Sequence, residues 1–419
     1  MFFIFRFVLA VYNLNYFNVT IRPPVLTAFS VENYRAFSRA QEVEIRPLTL
    51  FFGWNSAGKS ALVRFLPLLA ESLEIGGPPI WLSGKVGRRA TWPELVCKGS
   101  QRDTLGFSVT WDGSEPLRAD FEVQGDLDGR WQETSQLRVQ SATTDLLCAR
   151  YSGVESQGEW DGLLPSPKSG LASSLGPLRE RLSQLRENVQ WISGVRVRPP
   201  RQVTYGGGAP AQLSADGSDA LDHLIAAQLR SGEDPLLTLT GEFFAELGHR
   251  LELDNPSSGS WRVMLRSASA ISGVNLCDTG EGYSQVLPVL VALARSTLGG
   301  PEVLCLEQPE LHLHTRAQSQ LGNTLVKYAR NATSQRILLE THSEVLLMSL
   351  QLAIARGEIS ADKVRVYWVE GRADGTSEAV PVDFDESGRP NNSALTAAFA
   401  EVSSLGQQLV AAQMAHLKK

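Results

Sequence analysis

Leu48-Thr49-Leu50-Phe51-Phe52-Gly53-Trp54-Asn55-Ser56-Ala57-Gly58-Lys59-Ser60 is an apolar run that breaks into a glycine-bounded loop ending in Lys-Ser. It satisfies the phosphate-loop pattern G-x-x-x-x-G-K-[ST] at every specified position. Arg46-Pro47 punctuates the strand start, and Ser60 to Leu69 carries apolar residues at helical spacing, so the strand-loop-helix context is written on both sides. In that context Gly53, Asn55, Ser56, Ala57, Gly58, Lys59, Ser60 and Ala61 surround a polyphosphate at a helix N-terminus. Lys59 reaches the terminal phosphates and Ser60 holds magnesium, which makes ATP and Mg2+ the expected cofactors. The competing reading, a Gly-rich turn that binds nothing, is disfavoured by both flanks.

The chain of 419 residues, 43% hydrophobic and 20% charged, belongs to the ordinary globular class and is long enough for a large α/β domain with an elaboration. A formal charge of −6 argues against coating nucleic acid by bulk charge, while leaving room for a local basic groove. Cys97, Cys148, Cys277 and Cys305 lie far apart without metal-ligand spacing and read as thiols in a reducing, cytoplasmic setting. Met1 to Tyr12 is strongly apolar, yet it is too short to span a bilayer and carries Arg6 in its middle. It lacks the charge order and cleavage site of a signal peptide, so residues 1–24 are expected to be an added strand or a start-site artefact, with an interfacial anchor the lesser alternative and no membrane partner expected.

Thr27–Val31 and Gln41–Ile45 alternate as an antiparallel pair ahead of the loop strand. Between them stands Glu32-Asn33-Tyr34-Arg35-Ala36-Phe37. The order N-Y-R-x-F, strand, phosphate loop resembles the opening of ABC-type ATPases related to the structural-maintenance-of-chromosomes, DNA-repair and OLD families. That resemblance implies that Arg35, with Tyr34 or Phe37, lies near the nucleotide. On the residues alone, a turn with a core Phe and a solvated Arg stands equal to it. Phe107–Trp111, Ala119–Val123 and Gln136–Gln140 alternate in turn, with Asp112-Gly113 and Asp128-Gly129 between them, which predicts an antiparallel sheet within 89–150. The resemblance offers no placement for the loop Gln that contacts magnesium in such heads.

Residues from Ser152 to Ser174 read as a linker, and Leu175 to Trp191 as a helix far too short for a chromosome-type coiled-coil arm. Arg179, Arg181, Arg186, Arg196, Arg198 and Arg201 form the most basic neighbourhood, either a nucleic-acid or partner patch or a solvated charged face. Helices over Ser218–Leu229 and Leu236–Leu247 precede strands at Leu251–Leu253 and Trp261–Leu265.

Asn275 to Gln285 is a second glycine-containing loop opening an apolar helix, Val286 to Ala294, and so a second anion site by the same physics. The resemblance puts Gly280, Gly282, Ser284 and Gln285 at the signature motif, in a G-x-G-x-S-Q form, contacting ATP held by another subunit. Pro301-Glu302-Val303-Leu304-Cys305-Leu306-Glu307-Gln308-Pro309-Glu310-Leu311-His312-Leu313-His314 is a buried strand ending in a carboxylate, the Walker B arrangement, with Glu307 binding magnesium or its water shell. Gln308 stands where relatives carry the catalytic glutamate; an amide orients water but accepts no proton, so slow hydrolysis is expected, with Glu310 a substitute base. His312 and His314 share a face, and a metal site there is a minor alternative. Arg336 to Ser343 is a further apolar strand, at whose end the resemblance makes His342 a γ-phosphate sensor. Val364–Glu370 and Ala379–Phe384 predict a hairpin about Asp374-Gly375, and Leu395 to Leu417 a closing helix.

The resemblance covers about residues 26–390. It implies an α/β P-loop NTPase of ABC ATPase-head type, a mixed sheet with an antiparallel β subdomain and a helical insertion. The expected divisions are 1–24, a lobe 25–150, a linker and helical insertion 151–250, a lobe 251–390 and a tail 391–419. It further implies an ATP-sandwich homodimer gating a separate effector protein, in the manner of bacterial anti-phage systems. A DNA-binding repair ATPase acting alone, a peripheral transporter subunit and a nuclease are the rivals, so nucleic acid stays open as a partner. No acidic cluster of Toprim type follows His342.

Overall fold

The computed structural model describes residues 23–395 apart from 74–76, 101, 151–158, 169, 172, 232 and 268–271, together with 404, 407, 408 and 413. Most of the apolar stretch 1–24 and of the helix expected over Leu395–Leu417 lies outside the described residues. No helix among those described is long and apolar enough to cross a membrane.

The loop strand Leu48–Gly53 is buried at every position because it lies inside a six-stranded sheet covered on both faces. The order across that sheet is Val189–Ile192, Val303–Glu307, Arg336–Thr341, Leu48–Gly53, Val364–Gly371 and Ser377–Val382. The first five are parallel and only the edge strand Ser377–Val382 is antiparallel. Period-two geometry divides the side chains between two cores. Leu48, Leu50, Leu304, Leu306, Ile337 and Leu339 join the helix Glu281–Thr297 in one. Phe51, Cys305, Leu338 and Tyr367 join the loop helix Lys59–Ser72 in the other. The two helices that begin at the candidate anion sites therefore cover opposite faces of one sheet.

The antiparallel sheet runs Gln41–Glu44, Val25–Glu32, Thr104–Asp112, Leu117–Gly125, Gln132–Ser141 and Asp145–Ala149. It unites the opening pair with the later meander, and its apolar face shares the loop helix's core through Phe29, Phe107 and Phe121. A hairpin of His249–Ser257 and Ser260–Ser267 carries the short strands Val203–Thr204 and Val274–Asn275, both paired antiparallel to Ser260–Ser267.

Two element readings are corrected. The helix expected over Leu175–Trp191 spans Gly176–Asn188, and Val189–Ile192 is an edge strand of the central sheet. Val189 continues the helical spacing of Leu178, Leu182 and Leu185, but the parallel pairing of Val189 with Val303 and of Trp191 with Cys305 overrides that local pattern. The second helix starts at Glu281, not Val286, so Gly282, Ser284 and Gln285 belong to its first turns.

Gly53 sits at φ 150°, and a Cβ there would lie 2.1 Å from the Val369 carbonyl oxygen on the neighbouring strand. Gly53→Ala is expected to cost about 1–3 kcal/mol in a denaturant unfolding titration. An unchanged midpoint would mean that the Val369 strand yields freely.

Candidate functional site

The central strands deliver their carboxyl ends to one edge: Glu307 pairs with Glu340, Glu340 with Phe51, and Thr341 with Phe52, just before Gly53. That edge is where parallel α/β sheets bind ligands. Gly58, at φ 99°, caps the loop helix, and Ser56 is also left-handed at φ 63°. A Cβ on Gly58 would stand 3.1 Å from the Phe37 ring, so Phe37 serves as packing behind the loop. Asn55 and Ser56 are exposed and Ala57 is buried. Lys59 is 2% exposed and its Nζ donates to the carbonyls of Gly53 (3.0 Å) and Trp54 (2.6 Å). Burial pulls its pKa down to about 8, against the opposing pull of Glu340 and Glu310.

Arg35, at φ 51°, donates to the Glu94 carbonyl at 2.8 Å and lines a cleft of ≈ 480 Å³ with Ala61, Arg64, Arg88 and Arg89. Tyr34 and Phe37 are core residues; the Tyr34 ring meets Phe65 edge-on. Arg88 and Arg89 carry no motif in the sequence. Both have left-handed backbone, and burial with the neighbouring Arg64 holds the Arg88 pKa down.

Glu307, expected to meet magnesium, is bound in full by its own chain. Arg64 donates from Nε to Oε1 and from a terminal nitrogen to Oε2, both at 2.5 Å, and the Trp191 indole donates to Oε1 at 2.7 Å. The Arg64 guanidinium also lies 5.8 Å over the Trp191 ring. Glu340, one strand away, was not singled out by sequence. It is 5% exposed, its Oε2 is buried without a partner, and burial raises its pKa while a hydrogen bond from Ser60 and the charge of Lys59 lower it.

Gln308 turns away after the strand end at φ 40°, and its backbone N–H donates to the Glu340 carbonyl at 2.9 Å. Glu310 accepts from the Thr341 hydroxyl (2.7 Å) and the His342 amide (3.1 Å); its Oε2 has no partner, and burial raises its pKa. His342 stands by the loop, its Nε2 4.0 Å from Glu340 Oε1. Burial and Lys59 depress its pKa, and the Gly53 backbone opposes them. His312 lies 3.7 Å from Glu281. Among the described residues no group of three or more His, Cys, Asp or Glu is placed to hold a metal, His312 and His314 included. The donors at the loop edge nevertheless fit magnesium, which takes one or two carboxylates, a hydroxyl and phosphate oxygens. Ser60 and the partnerless Glu340 oxygen are hard donors of that kind.

The expected signature residues divide. Gly280 and Glu281 are exposed at the helix start, while Ser284 and Gln285 are turned into their own chain at 5% and 7% exposure. Ser284 donates to the Glu281 carbonyl and Gln285 to that of Arg196. A Cβ on Gly282 would lie 2.5 Å from the His312 carbonyl oxygen, so glycine permits the helix to dock on that loop. Arg196, counted by sequence in a basic patch, is buried at 5% exposure. It donates to the carbonyls of Ser193, Gln285, Glu307 and Gln308. Arg198 pairs with Glu281, and Arg201 grips Asp278 with two bonds. These arginines secure the segment that leads into the helix Glu281–Thr297.

Residues 183–349 match the family model described as an AAA domain, putative AbiEii toxin, Type IV TA system. No curated protein matches the chain significantly by sequence. Among solved structures, an SMC head bound to the C-winged helix domain of ScpA shares 12% identity at a TM-score of 0.52, with 86% of this chain and 98% of that chain covered. The SMC head domain from Thermotoga maritima shares 11% at 0.45, with 85% and 99% covered. The Pyrococcus furiosus Smc head with an extended coiled coil, bound to the C-terminal domain of ScpA, shares 11% at 0.47, with 86% and 97% covered. The chain has the P-loop ATPase fold of ABC and SMC heads.

The depressed pKa of Lys59 makes ligand binding pH-dependent. Above about pH 8 the free protein holds Lys59 neutral, whereas phosphate at the loop favours the ammonium and raises its pKa. ATP binding is therefore expected to take up a proton between about pH 8 and the unperturbed lysine value of 10.5, with affinity falling as pH rises through that window. Calorimetry in buffers of different ionisation enthalpy measures the uptake, which Lys59→Met should remove.

Proposed function

We propose that this P-loop head binds ATP with magnesium at Gly53–Ser60, closes head-to-tail on a second copy, and hydrolyses the nucleotide slowly while signalling to a separate effector protein. The observation that carries the reading is the placement of the two helix starts. The phosphate loop and the exposed Gly280 begin helices on opposite faces of one sheet, so a second copy is the natural source of the γ-phosphate contact. In this closure the Gly280 end supplies helix-terminal amides to the partner's nucleotide, while Ser284 and Gln285 hold the helix to Arg196.

Within one chain, Lys59 leaves the carbonyls of Gly53 and Trp54 for the phosphates, and the Arg35 cleft receives the remainder of the nucleotide. Ser60 and a strand-end carboxylate would hold magnesium, which would supply charge neutralisation at the phosphates. Gln308 orients water without accepting its proton, and His342, between Glu340 and the loop, registers the γ-phosphate. The solved head bound to a winged-helix domain supports a head that passes its state to another protein, and the putative-toxin description of the matched family supports an effector-linked setting such as anti-phage defence.

Gln308→Glu is expected to raise the steady-state ATPase rate roughly 100-fold, the lower range for a positioned general base. A rate that does not move would assign the slow step elsewhere. Light scattering with ATP should double the mass of the wild type and leave Lys59→Ala monomeric; a wild type that stays monomeric with saturating ATP would sink the sandwich reading.

A further inference from the structure

We propose that the magnesium-bearing carboxylate of this site is Glu340 and not Glu307, the carboxylate in the Walker B position. The inference rests on the reading of Gly53–Ser60 as an ATP–magnesium site and names the residue that completes it.

Glu307 has no oxygen to spare. Both take a bond from Arg64 at 2.5 Å, Oε1 takes a second from the Trp191 indole at 2.7 Å, and the Gly194 amide lies 3.5 Å from Oε2. A cation added there would meet a guanidinium already seated in the carboxylate fork, with the Trp191 ring fixed beneath it. Glu340 presents the opposite condition. It is buried at the same strand-end level, paired in register with Glu307, and on the face that carries Leu338 toward the loop helix. Its Oε2 is buried with no hydrogen-bond partner, although a buried carboxylate oxygen is normally satisfied. Its neighbours are the Ser60 hydroxyl, Lys59 and, at 4.0 Å, His342 Nε2. Ser60 is the loop residue expected to touch the metal, so a cation on Ser60 would fill the open position on Glu340. The strand-end sequence Leu339-Glu340-Thr341-His342 thus combines a metal carboxylate with the γ-phosphate sensor.

The division of labour is specific: Glu307 locks the loop helix to the sheet, and Glu340 holds the ion. The test is calorimetric titration of the full chain with AMP-PNP, in magnesium and in EDTA, for wild type, Glu340→Gln, Glu340→Asp and Glu307→Gln, with folding checked by thermal melting. Wild type is expected to bind roughly tenfold or more tightly in magnesium than in EDTA, about 1.4 kcal/mol. Glu340→Gln should bring that ratio close to one while keeping the EDTA affinity, Glu340→Asp should give a reduced ratio, and folded Glu307→Gln should keep the wild-type ratio with a lowered melting temperature. A full ratio in Glu340→Gln, or a collapsed ratio in folded Glu307→Gln, overturns the assignment. If Glu340→Gln does not fold, Glu340→Asp decides by the same ratio. A wild type that binds no AMP-PNP in either buffer refutes the loop reading itself, a result distinct from either.

Discussion

The buried pair between Arg64 and Glu307 ties together the parts that the site requires. Arg64 lies on the loop helix one turn beyond Ser60, Glu307 ends a central strand, and Trp191 belongs to the edge strand that pairs with it. One carboxylate thus fixes the helix below the phosphate loop to two neighbouring strands. Removing the Arg64 charge strands the buried Glu307 carboxylate in low dielectric, at a cost of about 3–5 kcal/mol. The geometry suits arginine, whose planar fork meets both oxygens at once; lysine would leave one unmatched.

Arg196 makes a second junction with a different partner chemistry. Among the described residues its guanidinium donates to backbone carbonyls alone, so it holds main-chain segments together. Burial draws its pKa down to about 10, with Glu310 and Glu307 pulling the other way, and it stays charged at neutral pH. Because the carbonyls of Gln285 and Gln308 share this donor, a turn of the backbone at one is felt at the other. Contact of Gly282 with the His312 carbonyl adds a second link across the same junction. The start of the helix Glu281–Thr297 and the turn after the strand Val303–Glu307 are in this way one mechanical piece.

Much of this was legible in the sequence where the signal is local. The loop Gly53–Ser60, the apolar strands ending at Glu307 and Thr341, and the alternating strands of the antiparallel sheet each follow from period and punctuation within a few residues. The Val189–Ile192 strand was not legible, because its pairing with Val303–Glu307 is set more than a hundred positions away. Arg64 and Glu307 each looked like the ordinary content of its own motif; nothing in either stretch announces that one occupies the other. Arg196 looked like a member of a basic run, since burial is a property of the fold. The signal for Glu340 is an acidic residue inside an otherwise apolar strand, a placement that is costly without a purpose.

Lys59 gives the phosphate loop an unusual economy of motion. Its ammonium is already inside, clasping the carbonyls of Gly53 and Trp54, and these two are the turns that shape the start of the loop. The side chain therefore braces the loop from inside through two neutral carbonyls, which an anion can replace. Binding is then a substitution of partners around a charge whose desolvation was met during folding, and the loop need not collapse and rebuild between turnovers. The cradle is kept in shape by the same group that will later grip what is laid in it.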